Sequence, residues 1–203
     1  MVSQLINKKV LSTLAFSYTV ISIGKNKSNK FQKKISRGIG VLRKIRHFVD
    51  TKTLVQLYHA IILPFFSYGC IVWGNTYDHN IKPLQIIQRK AMRLITFSKF
   101  DAHTSPLFAK LNLVKLQDHI KLQTLFFMHQ FNTGKLPKIF DSFFVKTSCK
   151  HNVNTRFAFR STFYLPKIRT HYGKFNIRFN GPKLWNELDE RLSVVLPINL
   201  KKN

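Results

Sequence analysis

Acidic residues are scarce in this chain. It has 8 Asp and Glu against 34 Lys and Arg, a formal charge of +26 over 203 residues. Two-metal phosphoryl chemistry needs carboxylates gathered around ions about 4 Å apart. Asp50, Asp78, Asp101, Asp118 and Asp141 stand alone, at expected helix starts or in loops, where an acid complements the helix dipole. Only Glu187, Asp189 and Glu190 cluster, on a final helix that reads as surface-exposed. No Asp-Asp pair follows an aromatic on a candidate hairpin, so polymerisation is not assigned to this chain. Cysteine is scarcer still. Cys70 and Cys149 make no disulfide framework, and Cys149 with His151 supplies at most half of a zinc site. Neither glycine-rich phosphate motif is present, and no cofactor is expected. Long apolar runs are also lacking. Val10 to Gly24, after Lys8-Lys9, is too short and too rich in Ser and Thr to read as a membrane span, and is taken as an extension or strand-like piece. There is no internal repeat and no low-complexity tract.

Positive charge and aromatic residues are what the chain has in abundance. An apolar content of 44%, with 19 Phe, suffices for a real core. A fold carrying +26 repels itself, and a polyanion relieves that repulsion. Nucleic acid is the first candidate partner and an anionic membrane surface the second. No small-molecule substrate is indicated.

Residues 1–49 hold 11 Lys and Arg and no acid. After a divergent extension (1–29), a helix is expected from about Lys30 to Phe48. Phe31, Ile35, Leu42, Ile45 and Val49 form its apolar stripe, with Lys30, Lys33, Lys34, Arg37 and Lys44 opposite. Gly38 and Gly40 weaken its middle. The basic face is either a solvated surface or a phosphate contact; the lack of interleaved acids favours the second.

Leu57 to Asn75 is the longest apolar block. Asp50 or Thr51 is placed to cap its helix, Pro64 should kink or restart it, and Phe65 to Trp73 reads as packed all round. Cys70 there is a small buried hydrophobe. A second amphipathic helix is expected over Ile81–Phe97. Leu84, Ile87, Ala91, Leu94 and Ile95 should face inward and Gln88, Lys90 and Arg93 outward, with Pro83 in its first turn. Ser105 should cap a short helix that stops near Asn112. A longer helix over Lys115–Asn132 should close at Gly134, with one more turn after Leu136-Pro137.

Residues 142–186 hold 9 Lys and Arg and no acid. Here aromatics alternate with basics: Arg156-Phe157-Ala158-Phe159-Arg160, Phe163-Tyr164, and Phe175-Asn176-Ile177-Arg178-Phe179. The alternation predicts short strands or extended segments, broken at Gly181-Pro182 before a helix over Lys183–Leu192. Arg156, Arg160, Lys167, Arg169, Lys174 and Arg178, with Phe157, Phe159, Tyr164, Tyr172 and Phe175, make the best patch for gripping phosphates and stacking on unpaired bases; the competing reading takes half of these aromatics as core, and the basic residues are the firmer part of the expectation.

Four segments carry a resemblance: KKISRGIGVLRKIRHFVD with LYHAIILPFFSYGCIVWGNTY; LQIIQRKAMRLIT; HTSPLFAKLNLVKLQDHIKLQTLFFMHQFNTGKLP; and NTRFAF with YLPKIRTHYGKFNIRFNGPKLWNEL. In order and spacing they resemble the region after the polymerase palm in non-LTR retrotransposon reverse transcriptases of the jockey type. The resemblance covers about Phe31 to Leu192. It implies a helical thumb and a C-terminal segment that grip template and primer, with Lys33, Lys34, Arg37, Arg89, Arg93, Arg156 and Arg169 as contacts. The family's endonuclease, fingers, palm and cysteine-rich knuckle have no counterpart in these residues, so the sequence reads as a truncated frame.

The expectation is therefore a mainly α-helical chain. It comprises a divergent extension (1–29), a helical thumb-like domain (30–145) and a basic-aromatic segment (146–203) with a small extended or β part. The expected function is non-catalytic binding of RNA or DNA backbones through Lys33, Lys34, Arg37, Arg89, Arg93, Arg156, Arg160, Arg169, Lys174 and Arg178. The rivals are a structural or interaction protein, a decayed fragment without activity, and a membrane-associated basic protein anchored through Val10 to Gly24.

Overall fold

A computed structural model describes residues 32–147 and 163–188. They are mainly helical. Helix α1 spans residues 32–45. Helix α2 (Thr51–Leu57) runs through a π turn (Tyr58–Ile62) into α3 (Leu63–Ser67), followed by α4 (Cys70–Trp73), α5 (Asp78–Ile95), α6 (Ser105–Lys110) and α7 (Leu116–Asn132). A 3₁₀ turn (Lys138–Phe140) precedes α8 (His171–Lys174) and α9 (Ile177–Asn186). The chain divides into two compact units, with the boundary inside α7 between Ile120 and Lys121.

In the unit that ends at Ile120, the apolar stripe of α1 is buried through Ile35, Ile39 and Leu42. They join Leu54, Tyr58, Ile62, Phe66, Cys70, Trp73 and the inner face of α5 in one core. Asp50 caps α2 by accepting from the Thr53 amide. Pro64 has no N–H to give to the preceding turn. The chain widens there: the Leu63 amide bonds the Tyr58 carbonyl five residues back, and α3 restarts the regular helix. Phe65 to Trp73 is not packed all round. Tyr68 and Val72 are exposed because Gly69, in the left-handed region at φ 61°, turns the chain between α3 and α4.

Helix α5 begins at Asp78, earlier than expected, so Pro83 sits in its second turn. Thr104 rather than Ser105 occupies the position before α6. Gln88 is a correction of more consequence. Expected outside, it is 3% exposed. Its amide nitrogen donates to the Tyr58 hydroxyl and the Val114 carbonyl, each at 3.0 Å, and its oxygen accepts from the Leu116 amide at 2.9 Å. The first amides of a helix have no partner within it; Gln88 supplies one for the start of α7.

Three helices end alike. After α5, Ser98 N–H bonds the Arg93 carbonyl and Phe97 N–H the Leu94 carbonyl. After α6, Leu113 reaches Phe108 and Asn112 reaches Ala109. After α7, Lys135 reaches Gln130 and Gly134 reaches Phe131. In each the closing residue is left-handed: Phe97 at φ 55°, Asn112 at 52° and Gly134 at 66°.

The unit that begins at Lys121 is built on rings. Met128, Phe144, Phe163 and Trp185 are buried, with Leu125, Phe127, Phe131, Phe143 and Ile177 against them. The expected β part is not supported here. Among the described residues there is no strand, only an isolated antiparallel bridge between Lys146 and Phe163. The place of a neighbouring strand is taken by Asn186, whose side chain accepts from Phe163 N–H at 2.9 Å and donates to its carbonyl at 2.8 Å. Phe175 to Phe179 turns from α8 into α9 rather than lying extended. Gly181-Pro182 does not break this helix but lies buried within it. A Cβ on Gly181 would come within 2.7 Å of the Met128 sulfur, so glycine is what lets α9 lie against α7. Phe157, Phe159 and Cys149 lie outside the described residues, as does Val10 to Gly24.

Candidate nucleic-acid interface

Burying Ile35, Ile39 and Leu42 forces the other side of α1 into solvent. Lys33, Lys34 and Arg37 are all exposed there, followed by Arg43 and Lys44. The Lys34 ammonium stands over the Phe65 ring, 5.8 Å from its centre, on an otherwise exposed side chain. These three expected site residues therefore share one helix.

The other two in this unit sit one turn apart on α5. Arg89 is exposed and lines a small open pocket with Gln85, Thr104 and Lys115, whose ammonium donates to Ser105 Oγ at 3.2 Å. Arg93 is half-buried. Its Nε donates to the Ala102 carbonyl at 2.9 Å, and its guanidinium lies 5.9 Å from the Phe100 ring centre. That side chain both braces the turn after α5 and presents charge beside it.

In the unit from Lys121, Arg169, Lys174 and Arg178 are exposed. Arg178 stacks over Phe143 at 4.2 Å, a cation–π contact that fixes its guanidinium. Tyr164 is half-buried, with its amide on the Val145 carbonyl, while Tyr172 is exposed. Arg156 and Arg160 lie outside the described residues.

Few acids interrupt this surface, and of them Asp101 and Asp141 are exposed. Asp50 is bound to its cap, and its hydrogen bonds to the Thr53 side chain and amide hold the carboxyl below its ordinary value. Asp78 and Asp118 lie in the first turns of α5 and α7. Glu187 pairs with Lys183 at 3.9 Å on an exposed face. Among the described residues no three His, Cys, Asp or Glu side chains group as metal ligands would, and no helix is long and apolar enough to cross a membrane.

One serine–histidine contact reads as structural. Ser67 Oγ lies 3.1 Å from the Leu63 carbonyl one turn back and 3.0 Å from His119 Nε2. A bond from a helical serine to the carbonyl four residues back is an ordinary structural role. Burial lowers the His119 pKa, keeping the imidazole neutral. Burial also pushes the Cys70 thiol up to about 11, consistent with an inert core residue.

Sequence reasoning missed the turn after α5. Arg46 lies 4.7 Å over the Phe97 ring, and His47 meets the same ring edge-on at 5.9 Å. The signal was in Phe97-Ser98-Lys99-Phe100-Asp101: two phenylalanines in a polar loop, where a helix-closing glycine or asparagine is usual.

The fold and surface define a helical, strongly basic chain whose exposed cations outnumber its acids. Over 66 residues it is 38% identical to the probable RNA-directed DNA polymerase from transposon X-element of Drosophila melanogaster. The match takes in 32% of this chain and 7% of that protein. About a third of the chain is thus related in sequence to part of a transposon-encoded RNA-directed DNA polymerase. No family model and no solved structure matches the chain.

Proposed function

We propose that the chain corresponds to the thumb and post-thumb region of a jockey-type non-LTR retrotransposon reverse transcriptase, and that it grips the sugar–phosphate backbone of RNA or DNA without catalysing polymerisation itself. The observation that carries this reading is the outer face of α1: Lys33, Lys34 and Arg37 exposed together, with no acid in residues 1–49. Long basic side chains on a rigid helix reach phosphates while their stems stay on the protein surface. Each contact releases a counterion from the nucleic acid. Arg89 and Arg93 on α5, and Arg169, Lys174 and Arg178 beyond Lys121, are further contacts of the same kind. Arg156 and Arg160 belong to the same proposed set. The similarity to an RNA-directed DNA polymerase supports an RNA–DNA hybrid as the first ligand to try.

The test is the affinity of the purified chain for a labelled RNA–DNA hybrid at a series of salt concentrations. Several phosphate contacts give a log–log slope of about −0.9 per contact, hence several units in total. A flat salt dependence with weak binding would overturn the reading.

A further inference from the structure

Three helices of this chain close with the same pair of backbone hydrogen bonds and the same left-handed residue. Two use residues that suit the conformation, Asn112 and Gly134. The third uses Phe97, and a bulky side chain in this region is strained. Strain of this kind persists where the surrounding structure imposes it, and it concentrates at functional positions. What it achieves here is an orientation. The Phe97 ring is 48% exposed, with the Arg46 guanidinium 4.7 Å over it and His47 at its edge. Three residues on, Phe100 is 82% exposed beside Arg93. Phe48, next to His47 in sequence, is 86% exposed.

A single open ring is ordinary on a protein surface, but several beside one another mark a candidate interaction site. The charge around them says for what. Residues 43–50 and 89–101 together hold seven Lys and Arg against two acids, Asp50 and Asp101. Asp50 is engaged at its cap. An apolar protein partner would bury those cations unpaired. A chain of unpaired nucleotides offers flat rings for the phenylalanines and phosphates for Arg46 and Arg93. Duplex, with its bases stacked inside, offers only the second.

We propose that Phe97 and Phe100, flanked by Arg46 and Arg93, form a stacking platform for unpaired bases of single-stranded RNA or DNA, with the strained backbone at Phe97 serving to present its ring. The proposal rests on the nucleic-acid reading above and specifies the form of strand that this face takes.

The experiment uses the full chain and labelled 20-mers: dT, rU, an abasic strand with the same phosphates, and a duplex. The expected result is dT or rU binding at least about tenfold tighter than the abasic strand, as stacking of one or two bases gives. The dT and rU arms separate DNA from RNA. Phe100→Ala, at a ring too exposed to hold the fold, should abolish most of that preference and leave abasic and duplex affinities within about twofold. Phe97→Gly is the sharper variant. It relieves the left-handed strain, so its melting temperature should hold or rise while the preference for bases falls. Equal affinity for dT, rU and abasic strands would overturn the platform while leaving backbone binding intact. Phe97→Gly that melts lower and keeps its preference would assign the ring a packing role and also overturn it. A chain that binds none of the four would overturn both readings.

Discussion

The two units are held together by different chemistry. Up to Ile120 the core is a ladder of aliphatic side chains with Tyr58, Phe66 and Trp73 set among them, and one buried amide, Gln88, ties three segments. From Lys121 on it is a chain of rings. Phe131 meets Phe144 at 4.9 Å and Phe163 at 5.7 Å, and Phe163 meets Trp185 at 6.0 Å, all edge-to-face or nearly so. Aliphatic ladders follow helical periodicity and tolerate local repacking. Ring chains depend on a few partners distant in sequence, each pair worth about 0.5–1.5 kcal/mol beyond its buried area. The difference teaches where each unit is vulnerable.

The largest expected effects come from removing the central ring of each. Trp73→Ala should cost about 3–5 kcal/mol in urea denaturation, since Trp73 is fully buried and its indole N–H donates to the Tyr68 carbonyl at 2.8 Å. Phe163→Ala should cost about as much through the lost ring alone, because the Asn186 amide bonds the main chain at 163, which alanine keeps. The contrast appears with a milder change. Phe163→Leu keeps an apolar side chain but loses three ring contacts, whereas Leu84→Met in the aliphatic core should cost less than about 1.5 kcal/mol. Equal losses for these two would break the distinction between the cores.

Next is Gln88→Leu. It leaves the Tyr58 hydroxyl, the Val114 carbonyl and the Leu116 amide without this partner, and should destabilise by about 3 kcal/mol, given about 1–3 kcal/mol for each buried group left unpaired. A neutral result by thermal or urea melting would mean that the amide is incidental. Its partner Tyr58 has a pKa raised by burial to about 12, so the unfolded chain ionises first above pH 10 and stability should fall there.

A smaller effect is set by pH. Burial lowers the His119 pKa in the fold below its ordinary 6.5. The unfolded chain then binds the proton more readily, so His119 contributes no penalty above pH 6.5, and stability falls as the pH drops from there. Melting temperature measured between pH 7 and 5 should decline less in His119→Gln than in the parent chain. Parallel curves would contradict the assignment.

The smallest test compares two glycines of α1. A Cβ on Gly38 would come 2.9 Å from Ile61 Cγ2, while one on Gly40 would meet open space. Gly40→Ala should stabilise by about 0.5–1 kcal/mol and Gly38→Ala should destabilise. Two stabilising outcomes would show that α1 does not pack closely against the π turn.

The same contrast explains what could be read from sequence. The stripe Ile35, Leu42 and the inner face of α5 follow from spacing, and so did the helix restart at Pro64 and the closure at Gly134. Gln88 was misplaced because its partners are 26 to 30 residues away and periodicity cannot show them. Alternating aromatics at Phe175 to Phe179 imitated a strand, but Phe175 and Asn176 only link α8 to α9, and Ile177 to Phe179 are already its first turn. Gly181-Pro182 looked like a break because only the fold reveals that Met128 stands where a Cβ on Gly181 would crowd it. On the candidate interface, exposure of Lys33, Lys34 and Arg37 was legible from the apolar stripe opposite. The Arg46–Phe97 stack was not, because it joins the end of α1 to the end of α5.

The most direct measurement of the central claim compares the salt dependence of RNA–DNA hybrid binding for the parent chain and for Lys33→Ala/Lys34→Ala/Arg37→Ala. If the outer face of α1 grips phosphates, the log–log slope should shrink by about three units with a matching loss of affinity at low salt. An unchanged slope in a triple variant that still melts cooperatively would contradict it.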